Sequence, residues 1–232
     1  MIYGSHDICI KKRLMGMKVI SIITEKGGAA KTTLAWHLGI LLDNKRGNRV
    51  LLLDADAKQR TLWRTFEFFR DAETPVINEA HTGNIDEKIA EAAELGFTHC
   101  IIDTPPHVGA AVEKAVQVAD LILAPLAVSP LDAVTFDDTY EVIQSNKRSG
   151  TKAFSVLTRA STRSKATLDE FSEFLAASCP DLPQAPAVMH ERTAYRDSIQ
   201  SGRGISETRD LRSLQARNEI TKLAKFIEKE IK

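Results

Sequence analysis

Short apolar runs alternate along the chain with longer stretches that have helical periodicity. The runs are rich in leucine and β-branched residues, and polar and apolar positions do not alternate within them. They lie at Val19–Thr24, Val50–Leu53, His99–Ile102, Leu121–Pro125 and Phe154–Leu157. Runs of this kind are typical of strands that are buried on both faces of a parallel sheet. The pattern therefore predicts a sheet of parallel strands as the core of the protein.

The stretches between and after these runs are amphipathic and have the period of α-helices. They lie at Thr32–Leu42, Thr61–Arg70, Ile85–Leu95, Ala110–Val118, Leu131–Gln144 and Lys165–Ala176. Ser129 and Pro130 form a start signal for one of them, with a capping serine followed by proline in the first turn. Strands that alternate with helices of this length require right-handed crossovers. We therefore predict a three-layer α/β fold with a wound, mostly parallel sheet flanked by helices.

The chain is predicted to form a single domain over residues 17–232, because no linker interrupts its rhythm. The proline-rich segment Pro180–Pro186 is interpreted as a loop, since structured periods resume after it. Residues 1–16 have no clear period and precede Met17, which lies directly before the first apolar run. We expect them to be a mobile N-terminal extension, with an additional edge strand or helix as the alternative.

Composition and charge narrow the class of protein. The 232 residues include 31 lysines and arginines and 31 aspartates and glutamates, so net charge does not favour wholesale binding of polyanions, although a local basic patch is possible. The scattered cysteines Cys9, Cys100 and Cys179 argue against a disulfide framework and against a cysteine-built metal site. No apolar run approaches the roughly 18 residues of a membrane span, and residues 1–16 lack a signal-peptide core. We expect a cytoplasmic protein.

A glycine-bearing loop with two lysines joins the first predicted strand to the first predicted helix. It comprises Glu25, Lys26, Gly27, Gly28, Ala29, Ala30, Lys31, Thr32 and Thr33. The N-terminus of a helix presents unpaired amides and a partial positive charge, which favour bound phosphate. Glycines let the backbone approach the ligand, while Lys31 can bring its charge to the β- and γ-phosphate oxygens and Thr32 a hydroxyl to Mg²⁺. This strand–loop–helix context predicts a nucleotide phosphate site.

The loop departs from the usual pattern GxxxxGK[ST], because Glu25 and Ala30 occupy its two glycine positions. It fits the deviant form KGGxxK[ST], in which Lys26 is a second lysine at the start of the loop. If the position of Ala30 requires a positive φ, alanine adds roughly 1 kcal/mol of strain there.

Acidic residues follow two of the other predicted strands. Asp54 and Asp56 come directly after Val50–Leu53, and Asp103 follows the run that ends at Ile102. Since a wound sheet binds its ligands at the carboxyl ends of its strands, these carboxylates are candidates for holding Mg²⁺, directly or through water. Each acid taken alone could instead cap a following helix. Their combination with the loop favours a site for a magnesium–nucleotide complex.

The segments KGGAAKTT, LLLDAD and IIDTPP, at their spacing in this chain, resemble the deviant-Walker ATPases of the ParA/MinD family. The segments APLAVSPLDAVTF and MHERTAYRDSIQSGRGISET are similar to the short, ParF-like partition proteins and to the related T-DNA border-associated virulence ATPases. The resemblance covers residues 17–232. It implies a P-loop NTPase fold, hydrolysis of ATP with Mg²⁺ at a low intrinsic rate, and a homodimer that encloses ATP between its subunits.

The resemblance also implies a role for each matching residue. In the phosphate loop, Lys26 would cross to the phosphates of the partner subunit, Lys31 would bind the phosphates of its own subunit, and Thr33 would contact the α-phosphate. The metal would be held by Thr32, by Asp103 through water, and by Asp54 from beside it. Asp56 corresponds to the acid that orients the attacking water. These assignments suit phosphoryl transfer, which depends on positioning and charge stabilisation more than on a strong base.

The function implied by the resemblance is segregation of a plasmid or another DNA cargo in a bacterium. ATP would close the dimer, the dimer would bind the DNA of the nucleoid without reading its sequence, and a ParB-like centromere-binding partner would stimulate hydrolysis. Arginines are concentrated in the last quarter of the chain, where they would contact DNA phosphates; a solvated face with helix ion pairs is the alternative. They are Arg192, Arg196, Arg203, Arg209, Arg212 and Arg217.

Two other functions remain open at this point. A MinD-like ATPase that binds membranes would use the amphipathic stretch Arg217–Lys232, but its narrow apolar stripe fits a helix packed on its own sheet better. An accessory ATPase of a DNA-transfer system is the other possibility. His107 and His190 are interpreted as ordinary loop residues, and Arg159 and Pro186–Met189 are candidates for the adenine pocket.

Overall fold

The computed structural model describes residues 16–107, 109–162 and 165–232, and over these residues six parallel strands form one sheet. The order of the strands across the sheet is β3-β2-β4-β1-β5-β6. In chain order they are β1 (Lys18–Ile22), β2 (Val50–Asp54), β3 (Val76–Glu79), β4 (His99–Asp103), β5 (Leu121–Ala127) and β6 (Lys152–Thr158). This arrangement confirms the predicted wound parallel sheet.

Helices follow the strands and cover both faces of the sheet. They are α1 (Lys31–Asp43), α2 (Thr61–Phe69), α3 (Ile85–Glu94), α4 (Ala110–Val118), α5 (Pro130–Val134), α6 (Phe136–Asn146), α7 (Lys165–Ser178), α8 (Thr193–Gln200) and α9 (Leu214–Glu230). A short 3₁₀ turn, Ile205–Glu207, lies between the last two helices.

The strands separate two apolar cores, one on each face of the sheet. Neighbouring residues such as Val19 and Ile20 are both fully buried, and they belong to different cores. One core packs α3, α4, α6 and α7 on the sheet, and the other packs α1, α2 and α9. Both faces of each central strand are therefore apolar, which is why the sequence shows continuous runs there.

Three features of the fold differ from the sequence prediction. The edge strand β3 was not predicted, because it is short and partly exposed and has no continuous apolar run. The helix predicted over Leu131–Gln144 is divided at Thr135 into α5 and α6. The short helix α8 was not predicted either, because it has only eight residues and buries only Tyr195 and Ser198. The mobile extension predicted for residues 1–16 lies, apart from Gly16, outside the described residues.

The C-terminal helix α9 packs against α1 in the second core. Its apolar stripe, Ile220, Leu223, Ala224 and Ile227, is fully buried, as predicted for a helix packed on its own sheet. None of the helices in the described part of the chain combines the length and the apolar character that crossing a bilayer would require.

Candidate functional site

The sheet brings the predicted site residues to one edge. Strand β1 lies between β4 and β5, and the carboxyl ends of β1, β2 and β4 are in register, with Asp103 paired to both Ile22 and Asp54. The loop from Ile23 to Ala30 leaves β1 at this edge and leads into α1. Open parallel sheets bind ligands at the carboxyl ends of two adjacent strands whose following connections run in opposite directions. The strands β1 and β4 are such a pair, because β1 connects to β2 on one side and β4 connects to β5 on the other.

The loop before α1 turns through two left-handed residues. Gly28 has φ 84°, and Ala30, the residue before α1, has φ 67° and ψ 25°. The position of Ala30 thus has the positive φ considered above, and its side chain costs roughly 1 kcal/mol of backbone strain. Ala29 is buried, and its carbonyl accepts a hydrogen bond from the Thr158 hydroxyl at 3.2 Å.

Lys31 is folded back across the loop. Its Nζ donates to the carbonyl oxygens of Thr24 at 3.0 Å and Lys26 at 3.1 Å, and the residue is only 8% exposed. Burial lowers the pKa of Lys31, while the nearby carboxylates of Asp103 and Asp56 oppose that shift. The two carboxylates therefore favour the charged form of Lys31 at the start of α1, whereas its burial disfavours that form.

Lys26 contacts α5 of its own chain. Its Nζ donates to the Leu131 carbonyl at 3.0 Å and forms an ion pair with Asp132 at 2.9 Å. The side chain of Lys26 is 39% exposed, so this ion pair is open to solvent. The structure thus separates the two lysines of the loop, because Lys31 is held inside it and Lys26 is held on its outer side.

Asp103 and Thr32 form a buried polar pair beside the loop. The Thr32 hydroxyl donates to Asp103 Oδ2 at 2.7 Å, whereas the buried Asp103 Oδ1 has no hydrogen-bond partner in the structure. Burial raises the pKa of Asp103 to about 7, more than the Thr32 hydroxyl lowers it. An unpaired carboxylate oxygen next to a hydroxyl suits a hard cation, because Mg²⁺ is usually bound by one or two carboxylates together with phosphate oxygens and water.

Asp54 and Asp56 order the loop after β2. Asp54 accepts the Asp56 amide at 3.0 Å and the Trp63 amide at 2.9 Å, one on each carboxylate oxygen. Burial is the main reason that the pKa of Asp54 is raised. Asp56 accepts the amides of Lys58 and Gln59 on its Oδ1 at 3.2 and 2.9 Å, and it lines the cavity described below. Asp54 is therefore placed to support this loop from beneath.

No group of three or more histidine, cysteine, aspartate or glutamate side chains within residues 16–107, 109–162 and 165–232 could hold a metal ion. A metal at this edge would therefore need ligands from its substrate as well as Asp103 and Thr32. Phosphate oxygens supply such ligands in many Mg²⁺ sites.

The residues of this edge line a cavity of about 790 Å³. One wall is the phosphate loop with Asp56 and Asp103, and it includes Gly27, Gly28, Ala30, Lys31, Thr32 and Thr33. Another part of the lining, called the facing wall below, contains Arg159, Met189, Glu191 and Arg192. Its volume lies within the range of about 300–1,000 Å³ that is usual for small-molecule sites.

The facing wall includes part of the predicted adenine region and residues that the sequence did not reveal. Arg159 and Met189 line the cavity, and Arg159 Nη1 donates to the Gly28 carbonyl at 3.0 Å. Glu191 and Arg192 were not predicted to belong to the site, and neither were the cavity-lining residues of α8. They follow an irregular proline-containing segment, so neither a strand end nor a glycine-rich turn marked them.

The arginines of the last quarter fall into two groups. Arg192 forms an ion pair with Glu219 at 2.8 Å, and Arg217 donates to the carbonyls of Thr208 and Asp210, both at 3.0 Å. These two side chains hold the fold together. The other arginines of the set are exposed to solvent: Arg196, Arg203, Arg209 and Arg212.

Comparison with known proteins places these features in a family. The sequence model of the VirC1 protein family matches residues 17–230. Maintenance of carboxysome distribution protein A of Gloeobacter kilaueensis is 26% identical over 216 residues, which are 92% of this chain and 95% of that protein. Protein virC1 of Rhizobium radiobacter is 27% identical over 192 residues, which are 77% of this chain and 79% of that protein.

Solved structures share the fold. The cell division ATPase MinD of Pyrococcus furiosus has a TM-score of 0.70 at 19% identity, covering 91% of this chain and 98% of its own. The septum site-determining protein MinD of Pyrococcus horikoshii, solved with Mg-ADP, has a TM-score of 0.68 at 17% identity, covering 92% of this chain and 96% of its own.

Proposed function

The chain belongs to the VirC1 protein family and is a ParA/MinD-family ATPase, and we propose that it positions a DNA cargo through an ATP-dependent homodimer. The observation that carries the proposal is the arrangement at the end of β1. There Lys31, the Thr32 hydroxyl and a buried Asp103 with one unpaired oxygen surround the N-terminus of α1. This set of groups suits a triphosphate with its metal ion.

The residues of the loop and of the neighbouring strand ends have different roles in the proposed hydrolysis. The amides at the start of α1 and the Lys31 ammonium bind the phosphates, Thr33 contacts the α-phosphate, and Asp56 orients the attacking water. Thr32 and Asp103 would hold Mg²⁺, which neutralises charge that develops on the phosphate oxygens. Asp54 would lie beside that metal, and its carboxylate holds the Asp56 loop by accepting hydrogen bonds from backbone amides.

Dimerisation completes the site through Lys26. In the single chain this lysine contacts Leu131 and Asp132, and in the proposed dimer it leaves them for the phosphates of the partner subunit. Hydrolysis that depends on a residue from the second subunit is slow until the dimer forms. Such a dependence suits a switch that a ParB-like partner protein resets.

The exposed arginines support binding to DNA. Arg196, Arg203, Arg209 and Arg212 are solvent-exposed and lie within one short segment of the chain. A few such contacts to phosphates give non-specific, salt-sensitive affinity even when the net charge of the protein is zero. We propose that the ATP-bound dimer uses them on the nucleoid of a bacterial cytoplasm.

The nucleotide dependence of DNA retention tests this function. Wild-type protein should be retained on immobilised duplex DNA with Mg-ATP and released with Mg-ADP. Lys31→Ala should remove retention with either nucleotide, because the loop then lacks its own phosphate-binding charge. Equal retention of wild type and variant in every nucleotide state would contradict the proposed cycle.

Two versions of this function, plasmid partition and an accessory role in DNA transfer, differ in the DNA that is recognised. Partition of a plasmid requires only non-specific binding by the ATPase, since the ParB-like partner reads the centromere. An accessory role in DNA transfer is favoured by the match to the VirC1 protein family over residues 17–230. Nuclease protection distinguishes them, because a transfer factor should protect one border sequence, whereas a partition ATPase should protect all duplexes of equal length equally.

A further inference from the structure

A single carboxylate on the C-terminal helix holds the facing wall of the cavity. Glu219 of α9 accepts the backbone amide of His190 at 3.2 Å and the His190 ring Nδ1–H at 2.8 Å. It also accepts Arg192 Nε at 2.9 Å and the Tyr195 hydroxyl at 2.7 Å. Its side chain is only 12% exposed. Glu219 thus gathers donors from three residues of the segment 190–195.

This segment is held on its other side by the end of β6. The Ala160 amide donates to the Met189 carbonyl at 3.3 Å, and the Glu191 amide donates to the Ala160 carbonyl at 3.0 Å. Met189, Glu191 and Arg192 all line the cavity. The wall therefore has two supports, the extension of β6 and the carboxylate of Glu219.

Glu219 itself does not contact the phosphate loop, and the two walls meet through Arg159, whose Nη1 donates to the Gly28 carbonyl. None of the hydrogen bonds or ion pairs of Glu219 goes to residues 25–33, all of which the structure describes. Removing the carboxylate deprives the Arg192 guanidinium of its ion-pair partner and leaves the Tyr195 hydroxyl only its 3.3 Å hydrogen bond to the Ala216 carbonyl, so these side chains reorganise. The disturbance falls on the facing wall, whereas the phosphate loop keeps its contacts.

We propose that Glu219 is a positioning residue that sets the wall receiving the nucleoside end of bound ATP. The inference rests on the proposed function, which places the phosphates on the loop at residues 25–33. A nucleotide anchored there extends into the rest of the cavity, whose lining includes Met189, Glu191 and Arg192. Glu219 therefore controls affinity for the nucleoside and leaves affinity for the phosphates unchanged.

The test compares ATP with tripolyphosphate, which has the phosphates and no nucleoside. Both are titrated calorimetrically with Mg²⁺ into wild type and Glu219→Gln. We expect the Kd of ATP to rise about tenfold, the effect of one lost charge-assisted hydrogen bond, while the Kd of tripolyphosphate stays within about twofold. In steady-state hydrolysis the KM for ATP should rise and kcat should change little.

A second variant and a matched control complete the design. Tyr195→Phe removes one donor and leaves the carboxylate paired with Arg192, so it should weaken ATP less than Glu219→Gln does and also spare tripolyphosphate. Glu230→Gln, on the same helix, loses only an exposed ion pair with Lys152 and should change neither ligand.

Two results would overturn the assignment of Glu219. In one, ATP and tripolyphosphate weaken by the same factor in both Glu219→Gln and Tyr195→Phe, which means that the network only supports the fold. In the other, ATP binding is unchanged in both variants. Failure of the wild type to bind either ligand would instead contradict the proposed nucleotide site itself.

Discussion

At the scale of single residues, the charge of Asp103 lowers folding stability but is required for the proposed binding of Mg²⁺. Its carboxylate is buried with one unpaired oxygen, and burial raises its pKa to about 7 from an ordinary value of 3.8. A raised pKa means that the ionised side chain is less favourable in the folded than in the unfolded protein. Above the unfolded pKa, and fully above pH 7, the charge therefore costs folding stability.

The substitution Asp103→Asn should remove that cost. At pH 8 without nucleotide or metal, we expect the variant to melt several degrees above wild type, because a neutral amide keeps the hydrogen bond to Thr32 without a buried charge. The same variant should lose Mg²⁺-dependent ATP hydrolysis. Differential scanning calorimetry at pH 8 and at pH 4.5 checks this, since the gain should shrink at the lower pH. A variant less stable than wild type at pH 8 would contradict the argument.

The local structure of the loop before α1, and the strand ends beside it, were largely predictable because their conformations follow from the local sequence. Gly28 and Ala30 mark left-handed turns, and Asp54 and Asp103 follow runs of apolar residues. The contacts of Lys26 were not predictable. Its partner Asp132 is distant in the sequence, and only the packing of α5 beside the loop brings the two together.

At the scale of elements, the short helix α5 holds Lys26 within its own chain through Leu131 and Asp132. Its ion pair with Asp132 is partly exposed, and such pairs contribute at most about 1 kcal/mol. In the proposed dimer the Lys26 of each subunit must leave this pair, so the pairs oppose dimerisation by up to that amount for each subunit. The helix thereby sets part of the threshold for assembly.

Asp132→Asn should lower this threshold. We expect ATP-dependent dimerisation to strengthen by up to about thirtyfold, which corresponds to about 2 kcal/mol for the two pairs that a homodimer breaks. Sedimentation velocity with Mg-ATP measures it. Asp137→Asn, an exposed acid in the first turn of α6, is the control of equal charge change and should have a smaller effect. Lys26→Ala should abolish hydrolysis that depends on the dimer, and equal dimerisation of both asparagine variants would show that α5 does not restrain Lys26.

The elements that the sequence missed share a physical reason. β3 is an edge strand with exposed and half-buried residues, and α8 buries few side chains, so neither requires a long apolar pattern. α8 nevertheless lines the cavity, and the segment before it forms the facing wall. Hydrophobic periodicity in a sequence arises from buried side chains. The parts of the site that face the open cavity bury few side chains, so the sequence pattern does not reveal them.

At the scale of the whole molecule, the protein has no net charge, and its proposed DNA surface is local. The exposed arginines should act through phosphates alone. Replacing Arg203 and Arg209 together by glutamine should weaken DNA binding equally for all sequences and reduce the slope of log K against log salt by up to about 4, about 2 for each subunit of the dimer. Fluorescence anisotropy over a range of salt concentrations measures this slope.

Arg217→Gln is the matched control for these arginines. It removes the same charge from the same region, but Arg217 donates to backbone carbonyls of residues 208 and 210. We expect this variant to lose thermal stability and to keep the salt slope of wild type. If Arg217→Gln lowers the slope as much as the exposed pair does per residue, the exposed group is not a distinct surface.

In an all-parallel sheet the carboxyl ends of the strands form one edge and the amino ends form the opposite edge. The proposed chemistry uses only the carboxyl edge. Each strand next to β1 is five to seven residues long, so the opposite edge lies roughly 16 Å or more from the nucleotide loop. The turn at Gly47, after α1, is on that far edge, and a side chain added at Gly47 would meet no atom within 4 Å. A fluorophore attached at its exposed neighbour Arg46, exchanged for cysteine, would follow the protein in real time without obstructing the nucleotide loop.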